Sequence, residues 1–459
     1  MSLFVRIRRE IKKSFDSIRN EKLKNNLLQA IPFWIASLIT GVVAVLYARI
    51  FAYAEKGAFA VFHYHGWLLF IISPVCFVTA WWIVKKWAPY SRGSGIPQVM
   101  AAIELATPKE HGKIKKFLSL RIIFIKILSS LIFVFGGAVV GREGPTIQIA
   151  GSIFRKINLW LPSWWPKVSK KNMIVAGAAA GLSAAFNTPL GGVVFAVEEL
   201  SKTHINYFKT ALFTAVIIAG LTAQALAGPY LYLGYPNVTG LSPYIFIGVI
   251  AVAIIAGIAG SAMCKIIVGI IKWKAKFNSV YKHVLFLLVC SWVIASMIYF
   301  IDERIMGSGK ELMMDVLFTN DKYTHWYVPV LKTIGSILSF STGAAGGVFA
   351  PALSSGAGIG SWVAGLFDLS ASNANILILA GMVAFLTGVT RTPFTSAILV
   401  LEMTDRHNVI FHLMLAGMVA SIVSVFVDKH SFYDRLKYKY LHELKHEEEA
   451  EEKEIVATQ

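Results

Sequence analysis

Apolar runs recur along the chain at lengths suited to a bilayer. They cover Ile31 to Tyr47, Trp67 to Val84, Ala211 to Ala227, Tyr244 to Cys264, Val284 to Ile301 and Val409 to Val427. At about 1.5 Å per helical residue, such runs approach the roughly 30 Å of hydrocarbon that a spanning helix must cross. Four further stretches are shorter or interrupted: Ile127 to Val140, Met173 to Phe186, Trp326 to Phe340 with Lys332 inside it, and Ile376 to Thr387. Each ends at or near Gly or Pro. Broken helices are tolerated at membrane depth only where their freed backbone groups are buried in protein or line a cavity, so these breaks predict where polar chemistry is done.

The pattern also repeats. The segment from Ala176-Gly177 through Thr188-Pro189 to Glu198 matches Ala380-Gly381 through Thr392-Pro393 to Glu402, at a constant offset of 204 residues. Upstream, Gly141-Arg142-Glu143-Gly144-Pro145 aligns with Gly347-Val348-Phe349-Ala350-Pro351 at an offset of 206, and Gly93-Ser94-Gly95 has a looser counterpart in Gly307-Ser308-Gly309. Two related halves are expected, and duplicated transporters of this sort place their site where halves of opposite orientation meet. The expected division is a cytoplasmic amphipathic N-terminal helix over 1–30, a first transmembrane repeat over 31–230, a second over 231–441 and a disordered acidic tail over 442–459.

Composition agrees with this reading. Of 459 residues, 56% are hydrophobic and 15% charged, and the mean hydropathy is +0.61, the profile of an all-α polytopic membrane protein. The formal charge of +18 could suggest nucleic acid. The basic residues instead cluster beside apolar runs, with Arg6, Arg8, Arg9, Lys12, Lys13, Arg19, Lys22 and Lys24 before the first and Lys85, Lys86 and Arg92 after the second. This is the positive-inside pattern; it places the N-terminus in the cytoplasm and argues against a nucleic-acid partner. The first thirty residues are too charged for a signal peptide, and Leu3, Phe4, Val5, Ile7, Ile11, Phe15 and Ile18 form an apolar face suited to an anionic leaflet. Cys76, Cys264 and Cys290 sit singly in apolar runs and the histidines have no metal spacing, so neither a disulfide framework, a metal nor a cofactor is implied.

The chemistry concentrates in three glycine-rich helix starts: Gly93-Ser94-Gly95-Ile96-Pro97, Gly141-Arg142-Glu143-Gly144-Pro145 and Gly346-Gly347-Val348-Phe349-Ala350-Pro351. In each, glycines precede a proline suited to a first helical turn. First-turn N–H groups have no intrahelical acceptor and stand at the positive end of the helix dipole, so converging starts would hold a small anion without a full countercharge. One such motif is a packing feature as often as a site; three, two of them related by the repeat, point to a pathway.

Glu143 stands among groups that favour negative charge. A helix-capping carboxylate, or one paired to Arg142, is the bland reading, yet its repeat counterpart is Phe349, and a mere cap could serve both halves. Glu143 is therefore read as a tethered anion that occupies the permeant ion's position when ionised and leaves it when protonated. Glu198 and Glu199 end the helix that follows Pro189, where acidic groups oppose the dipole. Glu198 is paired with Glu402 and reads as structural; Glu199, paired with Met403, is the better candidate for an internal proton acceptor.

The order GSGIP, GREGP, GVFAP and a late tyrosine resembles the CLC family of chloride channels and chloride/proton antiporters, over nearly the whole chain to about Leu441. The resemblance implies a fold of two inverted repeats with broken and re-entrant helices, and a homodimer with one pathway per subunit. It implies a chloride held by the hydroxyls of Ser94 and Tyr433 and the amides of Val348 and Phe349, with Gly95, Ile96 and Gly144 lining the site. Glu143 then matches the external gate and proton carrier, and Glu199 the internal proton-transfer group. Serine at position 94 resembles chloride-preferring members and an acid at 199 resembles antiporters. Gln98 departs from the glutamate that many members carry there, without an expected effect on selectivity, and no cytoplasmic nucleotide-binding pair is evident, as in short bacterial members. The implied function is chloride/proton antiport across a bacterial inner membrane with both termini cytoplasmic. A passive chloride channel is the alternative. An intramembrane hydrolase built on Ser354-Ser355-Gly356 lacks a suitably spaced histidine, so no enzymatic activity is expected.

Overall fold

The computed structural model describes residues 20–200, 209–228, 231–319 and 322–458, with positions 12, 13, 15 and 16. Most of the apolar face expected before residue 20, including Leu3, Phe4, Val5, Ile7, Ile11 and Ile18, lies outside the described residues.

The described chain is helical nearly throughout. The first half comprises α1 (Glu21–Tyr64), α2 (Leu69–Trp87), α3 (Ile96–Glu104), α4 (Ile114–Phe117), α5 (Leu120–Phe135), α6 (Glu143–Trp160), α7 (Lys170–Phe186), α8 (Pro189–Phe195), a π-helical turn over Ala196–Leu200, and α9 (Lys209–Ala227). The second comprises α10 (Ile245–Lys274), α11 (Val280–Phe300), α12 (Lys310–Phe318), α13 (Tyr327–Ser341), α14 (Phe349–Leu366), α15 (Ala371–Thr390), α16 (Pro393–Thr404), α17 (Ile410–Val427) and α18 (Phe432–Thr458).

Among the described residues, 8 helical segments are long and apolar enough to cross a membrane. Six contain the long apolar runs of the sequence; the others, Ile114–Phe135 and Ala371–Thr390, correspond to stretches that looked too short. In the first, Lys126 lies inside the helix, and the chain leaves the helix at Gly136 rather than continuing to Val140. In the second, 94% of the spanning window is enclosed by protein, so Asn375 and the threonines near its end meet protein rather than lipid. The boundary expected between residues 30 and 31 falls inside α1, which continues unbroken through Pro32.

The acidic tail departs from expectation. Instead of fraying from His442, α18 remains helical to Thr458. Its carboxylates meet basic groups elsewhere in the chain: Glu448 lies 2.8 Å from Lys113, Glu447 3.1 Å from Lys116, and Glu443 pairs with Arg92. The glutamates thus face fixed cations, which removes the mutual repulsion that composition alone suggests.

The repeat is visible in backbone angles. α7 and α15 both end on a left-handed residue, Asn187 at φ 57 and Arg391 at φ 66. The following N-caps are alike, Thr188 at φ −127, ψ 81 and Thr392 at φ −119, ψ 79. Gly93 and Gly307 share positive φ, 62 and 66, as do Gly95 and Gly309. α14 and α15 pack almost backbone to backbone, since a Cβ on Gly356 would collide with the Gly381 carbonyl and one on Gly360 with the Leu377 carbonyl. This close crossing explains Ser354-Ser355-Gly356 as packing residues: the Ser354 hydroxyl donates to its own helix, at the Pro351 carbonyl, at 3.0 Å.

Candidate anion pathway

The three glycine-rich segments converge. Gly141 and Gly347 exchange backbone hydrogen bonds of 2.8 and 2.7 Å, Gly93 N–H donates to Ala344 at 2.8 Å, and Gly346 N–H donates back to Gly93 at 3.1 Å. These isolated bridges tie the starts of α6 and α14 to the loop that opens α3. The N-caps of α6 and α14 are nearly superposable in conformation, Arg142 at φ −98, ψ −13 and Val348 at φ −103, ψ −2. The Gly141–Gly347 bridge holds these two helix starts side by side.

Two glycines make the approach possible. Gly95, the N-cap of α3, has φ 108, and a Cβ there would come within 2.7 Å of Gln148 Cβ. A Cβ on Gly144 would run into Ser94 Oγ, so the start of α6 lies directly against the Ser94 hydroxyl. Ser94 is 1% exposed and Tyr433 0%. Their hydroxyls are buried, and neither has a hydrogen-bond partner among the described residues. Buried hydroxyls are normally satisfied, which makes this pair, set beside the start of α6, a candidate for holding an external acceptor. Ile96, Val348 and Phe349 are buried around it. The Phe349 ring stacks on Tyr433 at 6.3 Å and 14° and packs against Phe186 at 6.4 Å, closing the apolar side.

Glu143 is 1% exposed. Its Oε2 lies against Gly141, where an added Cβ would run into it and also meet Ala350 and Pro351 of the first turn of α14, and that oxygen has no hydrogen-bond partner among the described residues. Arg142 does not hold it: that guanidinium donates to the Ala48 carbonyl at 2.6 Å. Glu199 is buried on the π-helical turn.

Glu198 behaves differently from its neighbour. Its carboxylate accepts from the amides of Phe394 at 3.2 Å and Thr395 at 2.7 Å, capping α16, while Glu402 accepts from Leu190 at 3.0 Å and Gly191 at 2.6 Å, capping α8. Each repeat supplies the anion for the other's helix start. The misplacement of these acids at a helix C-terminus is thereby explained.

Lys126 is a residue that sequence reasoning missed. Fully buried, its ammonium donates to the carbonyls of Ser91 at 2.8 Å and Gly93 at 2.7 Å, pinning the loop that presents Ser94. Lys332, 206 positions later, does the same for the second half, donating to Ile305, Met306 and Gly307 at 2.7, 3.0 and 3.1 Å. The signal was a lone lysine in an apolar run, noted at Lys332 and repeated at the offset of the helix starts. Gln98 has a local task as well, donating to the Arg92 carbonyl at 2.6 Å. An ionised glutamate could not make that contact.

The profile of the voltage gated chloride channel family matches residues 75–425, most of the chain. The chain belongs to this family. Relatives include the H(+)/Cl(-) exchange transporter ClcA of Salmonella schwarzengrund and that of Salmonella agona, each 28% identical over 455 residues, covering 94% of this chain and 92% of the relative. Among solved structures, a slow cyanobacterial Cl-/H+ antiporter aligns with a TM-score of 0.78 at 23% identity over 90% of this chain and 98% of that one. A CLC-type fluoride/proton antiporter aligns at 0.75 and 19% identity, again over 90% and 98%. A eukaryotic CLC transporter aligns at 0.72 and 19%, covering 90% of this chain and 74% of its own. The architecture is therefore the CLC fold, and the convergence of helix starts lies within the family's matched region.

Proposed function

We propose that the protein is a secondary active antiporter that exchanges chloride for protons. The carrying observation is the buried, unpartnered Glu143 carboxylate oxygen between Gly141 and the first turn of α14, with the unpartnered hydroxyls of Ser94 and Tyr433 on the other side of the same helix start. Chloride binds between the Ser94 and Tyr433 hydroxyls and the amides of Val348 and Phe349, with Gly95, Ile96 and Gly144 shaping the site. Ionised Glu143 competes with chloride for the same donors. Protonated, it loses that attraction and withdraws, so each passage of chloride is linked to a proton. Glu199 supplies protons from the inner side. The relatives' names as exchange transporters support this reading, as does the acid at position 199.

The same donor set would serve a passive chloride channel, the reading that the family's name favours. A channel has no need of Glu199. The reading extends to the surroundings: two inverted repeats over 31–230 and 231–441, cytoplasmic termini set by the basic flanks, an inner-membrane location and a homodimer with one pathway per subunit. Isotopic chloride uptake into liposomes containing the purified protein tests the basis of all of this. Uptake above protein-free vesicles is expected; none would remove both the antiporter and the channel.

A further inference from the structure

A second feature is a basic cavity of about 270 Å³ beside the loop that carries Ser94. Its walls come from the end of α2, the end of α10, the turn after α13, the start of α11 and the first turns of α18. Four cationic side chains, Lys85, Arg92, Lys274 and Lys439, line it against one carboxylate, Glu443. Lys274 reaches in from α10 and donates to the carbonyls of Ser341 at 2.6 Å and Thr342 at 2.5 Å. An ammonium carries three N–H groups, so one remains. Arg92 pairs with Glu443 and lies 4.9 Å above the Tyr440 ring. Lys85 has no carboxylate partner among the described residues; its ammonium rests 4.9 Å over Trp81, whose ring stacks on His283 at 5.7 Å.

This charge is not used by the chloride mechanism above, and its imbalance within one concavity is unfavourable unless an anion is bound. The helix ends that wall the cavity also carry exposed tryptophans on other faces: Trp82 and Trp87 at the end of α2 and Trp273 at the end of α10 are 45%, 41% and 54% exposed, amphipathic side chains that favour a membrane–water interface. Planar Arg92 and the point charges of the lysines suit the several oxygens of a phosphate group better than a single halide.

We propose that this cavity binds a phosphate-bearing anion, the headgroup of an anionic phospholipid or free phosphate, and that occupancy steadies the loop carrying Ser94. Gly93 forms one wall and Leu436, on the helix that presents Tyr433, another, so a ligand there touches both supports of the inner hydroxyl pair. The binding claim stands by itself; its effect on transport rests on the antiport reading.

Binding is measured first, on intact protein in detergent by native mass spectrometry, with short-chain phosphatidylglycerol and with inorganic phosphate as separate probes. Lys85→Gln combined with Lys439→Gln is expected to weaken binding by about tenfold or more, the scale of losing charge-assisted contacts. Glu443→Gln is expected to tighten it, since it removes the cavity's carboxylate and frees Arg92. A misfolded variant would not give that opposite sign. Lipid binding with this pattern identifies a headgroup site, and phosphate binding with this pattern identifies a soluble-anion site. Binding of neither probe, or binding unchanged in both variants, overturns the proposal. Chloride flux is then compared in phosphatidylethanolamine vesicles with and without phosphatidylglycerol, or with and without internal phosphate, according to the probe that binds. Binding without any change in flux overturns the coupling to the Ser94 loop while leaving the antiport reading untouched.

Discussion

The starts of α6 and α14 are the same piece of backbone carrying different chemistry. Both follow a glycine, both have N-caps near φ −100, and their glycines bond to each other across the pseudo-symmetric contact. One then carries Glu143 and the other Phe349. The same contrast recurs at the ends of α8 and α16. Glu198 and Glu402 cap each other's helices in matched fashion, whereas the repeat counterpart of Glu199 is Met403, a residue without a carboxylate. Lys126 and Lys332 are matched again. Scaffold is thus written twice, and the carboxylates proposed to carry protons, Glu143 and Glu199, once. Where the two halves agree, residues hold helix ends and loops; where they differ, a carboxylate stands in one half alone.

Substitutions can break this contrast at graded depth. The largest effect is expected for Glu143→Ala, which removes the carboxylate that distinguishes α6 from α14: proton flux falls to the level of protein-free vesicles while chloride still passes. Paired pH-electrode and chloride-electrode recordings check this, and preserved coupling would refute the role given to Glu143. Next comes Glu199→Gln, expected to abolish proton movement while chloride flux and its sensitivity to external pH persist. A wild-type proton-to-chloride ratio in that variant would place the internal acceptor elsewhere.

Smaller effects are expected where the halves match. Lys126→Met removes two charge-assisted hydrogen bonds to the Ser94 loop, each worth about 1.5–3 kcal/mol, and should weaken chloride binding by about tenfold or more. Isothermal titration with chloride reads this directly. Wild-type affinity would show that the loop is held without the lysine. Smallest are Glu198→Gln and Glu402→Gln, which keep an acceptor but remove charge from a helix start, a loss of about 0.3–1 kcal/mol. Thermal unfolding in detergent should show similar, small decreases for the two. A large decrease for one alone would contradict the reciprocal capping.

Much of this contrast was legible in the residues. The repeat offsets of 204 and 206 located the paired helix ends, and the unmatched Glu143 and Glu199 stood out because their partners are Phe349 and Met403. The convergence of the three glycine-rich starts followed from what their free amides need. Other features depend on contacts between distant segments and were not legible. Glu198 and Glu402 gave no sign of where their carboxylates go, because each partner amide lies in the other repeat. Lys126 was hidden inside an apolar run, and its acceptors, Ser91 and Gly93, lie over 30 positions away. The acidic tail was misread because local repulsion was visible while its lysine partners, more than 300 positions earlier, were not.

The central claim is that a carboxylate in one half couples chloride to protons. Its most direct test is proton movement in liposomes holding only this protein, with a chloride gradient imposed, equal pH on both sides and the membrane potential held at zero by equal potassium and valinomycin. The account predicts that chloride leaving down its gradient drives protons in the opposite direction, building a pH difference where none existed. Chloride efflux that leaves the two pH values equal would contradict it.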